Sequence, residues 1–256
     1  TICEKFSNFA PLLRIITTFK YIMANKNKQG VAETFDASQS SDAFFSKNKK
    51  VILGSVAALV LIVAGFFLYK SLVAGPREEK ASTALAKGQE YFNQEQFDKA
   101  LNGDGAGYVG FARIADDYSS TDAGNLANLY AGLCNANLDK WEAAKKFLDA
   151  YSPASDAMVS PAAVAALGNA YAHLNDLDKA VDNLKKAAKL ADGKDADGAN
   201  STLSPLFLIQ AGEILESQGK KEEALAIYQD IKKKYVNSIL VQSSEIDKYV
   251  ERASTK

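Results

Sequence analysis

The order of hydrophobic and polar residues divides the chain into one wholly apolar run and a longer region with helical periodicity. Residues 51–69, VILGSVAALVLIVAGFFLY, carry no charge, and Ser55 is their one polar residue apart from the terminal tyrosine. A helix of this length, at about 1.5 Å per residue, matches the hydrocarbon thickness of a bilayer. A core helix of a soluble protein would show a polar face, and this run has none. The pattern therefore predicts a transmembrane helix over residues 51–69.

The flanks of the run favour an uncleaved anchor over a signal peptide. A signal peptide has a shorter apolar core, of about 7–15 residues, and a small residue three positions before its cleavage site. For a cut after Ala74, that position holds Leu72. Lysines crowd the N-terminal side of the run, although Lys70, Arg77 and Lys80 follow it. With the short tail and the large C-terminal region, this predicts a cytoplasmic N terminus and an exported C-terminal domain.

Residues 1–50 show no sustained periodicity. The chain starts with Thr1, whereas Met23 opens MANKNKQG, a polar start typical of natural N termini. We therefore interpret residues 1–22 as translated upstream sequence or a mis-called start. The stretch 30–46 is rich in Ser, Asp and Ala, so residues 1–50 are predicted to form a disordered cytoplasmic tail.

After Lys80 the sequence repeats itself four times. A glycine is followed twelve residues later by an alanine, and an acidic residue stands two positions before each alanine. The pairs are Gly88 with Ala100, Gly132 with Ala144, Gly168 with Ala180, and Gly212 with Ala224. Glycine on a first helix (helix A) and alanine on a second (helix B) allow a close approach of the two. The spacing predicts four helical hairpins that stack and share a core.

The boundaries of some helices can also be predicted. Ser160-Pro161 and Ser204-Pro205 precede the third and fourth glycines, and we expect each serine to be an N-cap and each proline the first helical residue. A last helix, over about residues 239–253, is expected to cap the stack with its charged face outward.

These residues resemble the tetratricopeptide repeat family over about residues 81–253. The family's small eighth residue and its alanine at position twenty are met in all four units. Its aromatic residue three after the glycine is met by Tyr91 and Tyr171 alone. Successive glycines are 44, 36 and 44 residues apart, whereas the family period is 34, and the extra residues fall at 102–108 and 192–204. The resemblance implies an all-α fold, with a tetratricopeptide-like superhelix of antiparallel helix hairpins over residues 76–256 behind the one transmembrane helix.

The resemblance also implies a partner-binding concave face. The family's concave positions lie one and four residues after each glycine, and here they hold Gln89, Phe92, Leu133, Ala136, Asn169, Ala172, Glu213 and Glu216. The alternative is that these residues only pack between helices. Asn169 fits the family's carboxylate clamp, but Ala165 stands where the clamp needs a lysine. The face therefore suits an apolar or basic segment of another protein.

Composition argues against several other functions. Residues 76–256 hold 21 basic and 27 acidic residues, and a net charge of −6 opposes nucleic-acid binding. His173 is the single histidine, and we expect it to be a turn or packing residue. Cys134 lies in a helical apolar pattern and is expected to be a buried hydrophobe. Because titratable groups do not converge, we expect no enzyme, cofactor, metal site or small-molecule substrate.

An anchor followed by a compact repeat array is similar to a family of bacterial envelope proteins that includes the ancillary subunit of the Sec translocon. This resemblance implies a single-pass inner-membrane protein with a periplasmic domain. Its function would be a protein-binding scaffold that assists translocation or envelope protein folding, with the translocon or periplasmic chaperones as partners. The alternative is a structural module that oligomerises within a membrane assembly.

The intact mass of the membrane-extracted protein tests the uncleaved anchor. We expect residues 51–69 to be present in the mature chain, because the apolar run is too long for a signal-peptide core. A species that begins near Gly75 would contradict this prediction.

Overall fold

The structure is a computed structural model that describes residues 48–193 and 198–255. Most of the tail predicted over residues 1–50, with the start at Met23, lies outside the described residues. The chain divides into two units, Thr1–Ala64 and Gly65–Lys256, and each is described by itself.

The apolar run lies in one helix. Helix α1 is Lys49–Tyr69, and none of its residues is buried. The hydroxyl of Ser55 donates to the carbonyls of Val51 and Ile52 at 3.0 Å. The one polar side chain inside the apolar run is therefore hydrogen-bonded to the backbone of α1. Among the described residues, one helical stretch, Lys49–Asn93, is long and apolar enough to cross a membrane, by length and composition alone.

A π-helical turn, Lys70–Ala74, joins α1 to helix α2, Gly75–Asn93. Pro76 stands in the first turn of α2, and a proline ring clashes with the carbonyl four residues before it in a regular α-helix. The N–H of Gly75 instead bonds to the carbonyl of Lys70, five residues back. The wider turn therefore accommodates the proline without ending the helix.

The described part of the second unit is helical and contains no strand. The four predicted hairpins are present, and two short helices follow them. The helices after α2 are α3 Phe97–Asn102, α4 Phe111–Asp117, α5 Asp122–Asn137, α6 Trp141–Ala150, α7 Val159–His173, α8 Leu177–Asp192, α9 Leu203–Ser217, α10 Lys221–Lys234, α11 Ile239–Gln242 and α12 Glu245–Ser254. Helices A are α2, α5, α7 and α9.

The turns between helices A and B share one backbone motif. The residue seven after each repeat glycine has a left-handed conformation: φ is 58° at Glu95, 57° at Asp139, 61° at Asn175 and 74° at Gly219. The next N–H then bonds to the carbonyl five residues back, as in Lys140 to Asn135 at 2.8 Å. This is the Schellman ending of a helix, which favours Gly, Asn or Asp at the left-handed position. Three of the four sequences supply such a residue.

Three repeat glycines lie against helix B of their own hairpin. The contact is with the residue sixteen positions later: Leu148 for Gly132, Leu184 for Gly168 and Tyr228 for Gly212. An added Cβ would lie 2.5, 3.1 and 2.4 Å from these side chains, respectively. The partner alanines Ala100, Ala144, Ala180 and Ala224 are fully buried. Small residues therefore set the separation of the two helices.

The first hairpin departs from this pattern because its helix B is interrupted. Residue 104, sixteen after Gly88, lies in the loop between α3 and α4, and an added Cβ at Gly88 would meet Tyr108 and Phe111 instead. The Asp104 carboxylate accepts hydrogen bonds from the N–H groups of Ala106 and Tyr108 at 2.8 and 2.9 Å. These bonds, with one from the Tyr91 hydroxyl, hold the pKa of Asp104 well below its usual range. The inserted loop is thus folded around one carboxylate.

The serines expected at helix N-caps have another role. Helices α7 and α9 begin at Val159 and Leu203, before Ser160 and Ser204, and both serines are fully buried. Asp156 instead accepts the N–H of Val159 at 2.6 Å. The N-cap prediction was wrong because proline fits anywhere in a first turn, where N–H groups lack helical partners.

The capping segment is two helices, not the single helix predicted over residues 239–253. Ser244 has a φ of 60°, which ends α11 and starts α12 in a new direction. Helix α12 packs on α10 and buries Ile246 and Ala253.

At the end of the stack where helices A begin, hydrogen bonds join the first hairpin to the second, and the second hairpin to the linker that follows it. The Glu78 carboxylate accepts the N–H groups of Asp122 and Ala123 at 2.8 and 2.9 Å. Asn125 exchanges two bonds of 2.8 Å with the backbone of Ser152. We call this end of the stack the entry edge, because the chain enters the repeat domain there.

Asp192 forms a further group of hydrogen bonds on the entry edge, next to the capping helices. Its carboxylate accepts bonds from Ser204 at 2.6 Å, Tyr235 at 2.7 Å and Lys234 at 2.6 Å. Burial raises the pKa of Asp192, but these bonds and one from the Asn200 backbone outweigh it, so the pKa is lowered. One carboxylate therefore joins α8, α9 and the end of α10.

Asp192→Asn should destabilise the domain at neutral pH. Hydrogen bonds to charged groups contribute about 1.5–3 kcal/mol each. Folding lowers the pKa of Asp192. Its contribution to the free energy of unfolding is therefore present above the unfolded pKa of about 4 and is lost as the pH falls through the folded pKa. The difference in urea midpoint between variant and wild type should therefore be larger at about pH 7 than at about pH 3. An equal difference at both would contradict the assignment.

Gly212→Ala should destabilise more than Gly168→Ala. At Gly212 the new Cβ meets the ring of Tyr228, which is fully buried and has no room to retreat, so we expect a loss of about 1–3 kcal/mol. At Gly168 the nearest atoms are 3.1 Å away, and the usual gain of about 0.5–1 kcal/mol for alanine over glycine in a helix offsets the crowding. Urea unfolding followed by circular dichroism compares them, and a reversed order would show that the close contact is misplaced.

Candidate functional site

A groove runs across the helices A of hairpins two, three and four. Its volume is about 670 Å³. It is lined by three or four residues from each of α5, α7 and α9, and by one residue of α6. The lining residues are Leu133, Ala136, Asn137, Trp141, Ala166, Asn169, Ala172, His173, Gln210, Glu213, Ile214 and Ser217.

The lining follows from helical geometry. Residues two before, one after and five after a repeat glycine are separated by three or four positions, so they lie on one face of helix A. On α7 this stripe is Ala166, Asn169 and His173, and α9 repeats it with Gln210, Glu213 and Ser217. The glycine faces helix B, so the stripe lies on another side of the helix and stays open.

The structure brings together five of the eight residues that sequence analysis placed on the concave face. Leu133, Ala136, Asn169, Ala172 and Glu213 all line the groove. The positions two before and five after the glycine were missed. The spacing of three and four residues on each helix A was the signal that could have found them.

Glu216 lies outside this groove. Its carboxylate pairs with the Arg252 guanidinium of α12, with an N–O distance of 2.7 Å and only 16% of its side chain exposed. The hydrogen bond that the Arg252 guanidinium donates to Glu216 raises the pKa of Arg252. Glu216 therefore joins the last hairpin to the capping helix.

Gln89 and Phe92 of the first hairpin also lie outside the groove. The Gln89 amide donates to the Tyr130 hydroxyl at 2.9 Å, and the rings of Phe92 and Tyr130 have centroids 5.3 Å apart. Tyr130 stands two before Gly132, where the next two hairpins have Ala166 and Gln210. Its ring is also stacked on Phe111 at 5.0 Å. A large side chain thus occupies the place where the groove would continue.

An aromatic pair stands at one side of the groove. The Trp141 and His173 rings are parallel within 4°, with centroids 3.5 Å apart. His173 ends α7, in line with the expectation of a turn or packing residue, while Trp141 begins α6 in the preceding hairpin. Stacking of this kind adds rigidity to a flat apolar wall.

Two amide side chains in the groove have no partner in the part of the chain that the structure describes. Asn169 and Gln210 are exposed, and no hydrogen bond to either side chain occurs within the described residues. In contrast, Asn137 donates to the Leu133 carbonyl at 2.8 Å, and Ser217 donates to the Ile214 carbonyl at 2.6 Å. An amide offers both donors and an acceptor, which matches the alternating groups of a peptide backbone.

The charge in the groove lies near its α9 end. Glu213 is 47% exposed, and its carboxylate is 3.7 Å from the Arg252 guanidinium, a looser contact than that of Glu216. The remaining lining residues are apolar, amide, hydroxyl or imidazole in character. Side chains of these kinds can contact a bound molecule and fix its orientation.

Residues 48–193 and 198–255 contain no cluster of three or more His, Cys, Asp or Glu residues able to hold a metal ion. Cys134 is fully buried, as its sequence pattern predicted, and burial raises the pKa of its thiol to about 12.

Comparisons with known proteins agree with the helical hairpin repeats seen in the structure. The tetratricopeptide repeat-like domain model matches residues 42–244. A crystal structure of the nearly identical TPR-like repeats of a putative kinesin light chain from Podosopora anserina has a TM-score of 0.52 and 10% identity, and covers 69% of this chain and 86% of that one. A variant of the same repeats has a TM-score of 0.50 and 10% identity, with 69% and 93% covered. No curated protein matches in sequence.

Proposed function

This chain belongs to the tetratricopeptide repeat-like domain family, and from that premise we propose that it is a membrane-anchored scaffold whose groove binds an extended segment of another protein. The observation that carries the proposal is the pair of amides Asn169 and Gln210, which have no hydrogen-bond partner among residues 48–193 and 198–255 and lie between apolar side chains in one groove.

Binding requires two kinds of contact in this groove. The amides of Asn169 and Gln210 would pair with backbone groups of the segment, which orients it without selecting its sequence. Apolar side chains of the segment would cover Leu133, Ile214 and the flat wall beside Trp141, where burial contributes about 25 cal/mol per Å². Affinity then comes from apolar burial and orientation from the amides.

The charge of the groove favours one direction for the segment. Glu213 is the acidic residue of the lining, and Arg252 contacts it only loosely at 3.7 Å. A lysine or arginine of the segment placed at the α9 end would complete this ion pair. We therefore propose an apolar segment with a basic residue at one end.

The proposed location is the bacterial inner membrane. Helix α1 has the length and composition of a single span, and the lysines before it favour a cytoplasmic N terminus. The repeat domain would then face the periplasm. The resemblance to anchored envelope proteins suggests the translocon or periplasmic chaperones as partners, so the scaffold would assist translocation or envelope protein folding.

Photocrosslinking in intact cells tests the groove. A photoreactive amino acid at Asn169 should crosslink to a discrete partner, and one at Lys186, exposed on helix B of the same hairpin, should not. Ala172→Arg fills the groove and should remove the crosslinks from position 169. Ala162→Arg, on an exposed site of the same helix outside the groove, should leave them unchanged. Crosslinks that survive Ala172→Arg would exclude the groove as the binding site.

Thiol labelling tests the proposed topology. Glu223→Cys places a thiol at an exposed position of α10. A membrane-impermeant maleimide should label it in cells whose outer membrane has been permeabilised. Labelling that requires lysis of the inner membrane would place the domain in the cytoplasm and remove the periplasmic partners from the proposal, leaving the groove itself unaffected.

A further inference from the structure

The entry edge continues across the whole repeat domain. Glu78 of α2 bonds to the start of α5, and Asn125 of α5 bonds to the linker before α7. The Asn200 amide, before α9, donates to the Ala157 carbonyl at 3.5 Å, and Asp192 bonds to Tyr235, just before α11. The N-terminal ends of these helices therefore lie in one row.

Exposed apolar side chains are concentrated on this edge. Among the described residues after Gly75, six large apolar side chains are exposed, and all but Val109 belong to the segments where α7, α9 and α11 begin. The five are Met158 (69% exposed), Val159 (45%), Leu206 (45%), Val236 (57%) and Ile239 (73%). Single exposed apolar residues are ordinary, but a row of them along one edge marks an interaction surface.

The chain enters the domain at this same edge. Within the second unit, the exposed apolar residues Phe66, Phe67, Leu68, Tyr69, Leu72 and Val73 directly precede α2. The Arg77 guanidinium then bonds to the Asp117 carbonyl and lies 5.7 Å from the centre of the Tyr118 ring. Arg77 lies eight positions after Tyr69, a rise of only about 12 Å along a helix. An anchor would hold the entry edge within that reach of the bilayer.

Basic residues accompany the apolar row. Helix B of the fourth hairpin, α10, ends at this edge with Lys232, Lys233 and Lys234. Lys234 pairs with Asp192 and Lys232 with Asp247, while Lys233 is exposed and has no partner among the described residues. Apolar tips beside lysines suit a lipid interface, where acyl carbon and anionic headgroups lie close together.

We propose that the entry edge rests on the surface of the bilayer that holds α1, with Met158, Leu206, Val236 and Ile239 inserted at the headgroup level. This inference rests on the proposed membrane anchor. The groove crosses α5, α7 and α9, which lie side by side along this edge. A segment bound there runs along the row of helices and therefore parallel to the membrane surface.

Fluorescence quenching in vesicles tests the contact with the full chain. A thiol-reactive environment-sensitive fluorophore is attached at Ile239→Cys, and in separate samples at Met158→Cys and Glu223→Cys, in a Cys3→Ser background. Cys134 is retained because it is fully buried. The vesicles contain phosphatidylethanolamine and phosphatidylglycerol, with or without a nitroxide-bearing phosphatidylcholine. Glu223 is the matched control because it lies in the first turn of α10, whose far end lies on the entry edge about 17 Å away along the helix.

We expect the nitroxide lipid to quench the fluorophores at positions 239 and 158 at least about twofold more than the one at 223, because interfacial residues lie about 5–10 Å within the headgroup region. Equal quenching at the three positions in chains that float with the vesicles would overturn the inference. An apolar emission spectrum at position 239 without greater quenching than at position 223 would also overturn it, because the edge would then be covered by a second copy of the chain and not by lipid. Chains that do not float with the vesicles after a carbonate wash would overturn the anchor, and this inference with it.

Discussion

The structure depends on one steric constraint, the close approach of two helices at a glycine. At Gly132, Gly168 and Gly212 the backbone of helix A lies against the residue sixteen positions later, and a Cβ would not fit without displacing that neighbour. The left-handed turn seven residues after the glycine and the buried alanine twelve residues after it complete the same geometry. Because this geometry recurs, each helix A presents the same face, and neighbouring hairpins align those faces into one groove.

The first hairpin shows what happens when the constraint changes. Its helix B stops at Asn102, and the inserted loop brings Tyr108 and Phe111 against Gly88. Tyr130 then packs against Phe111 and Phe92, so the face that would extend the groove is occupied by rings. The hairpin that carries the entering chain thus differs from the three that form the groove. Its fixed carboxylate, Asp104, orders the insertion that makes this difference.

Much of the fold follows from sequence because the decisive contacts are short in range. Glycine and alanine at a fixed spacing indicate a close contact between the two helices of one hairpin. Asp139, Asn175 and Gly219 favour the left-handed turn between those helices. The serines before Pro161 and Pro205 predicted helix starts that are two residues too late, because Ser160 and Ser204 lie inside the first turn of α7 and α9, where they bond to Asp156 and Asp192. The Trp141–His173 stack and the packing of Tyr130 join residues of different hairpins. The spacing of residues within one hairpin does not predict such contacts. Part of the groove was therefore predictable, whereas its aromatic wall and its closed end were not.

Amide hydrogen exchange of the full chain in micelles tests whether the helices are held together at the glycine contacts. We expect the slowest exchange in the segments that flank these contacts, residues 163–171 and 180–188 in hairpin three and residues 207–215 and 224–231 in hairpin four. The amides of Gly105 and Gly107 in the inserted loop, and those of residues 155–157 before α7, donate no hydrogen bond among the described residues, so they should exchange quickly. Exchange in residues 163–171 as fast as in these loops would show that helix A is not held against helix B.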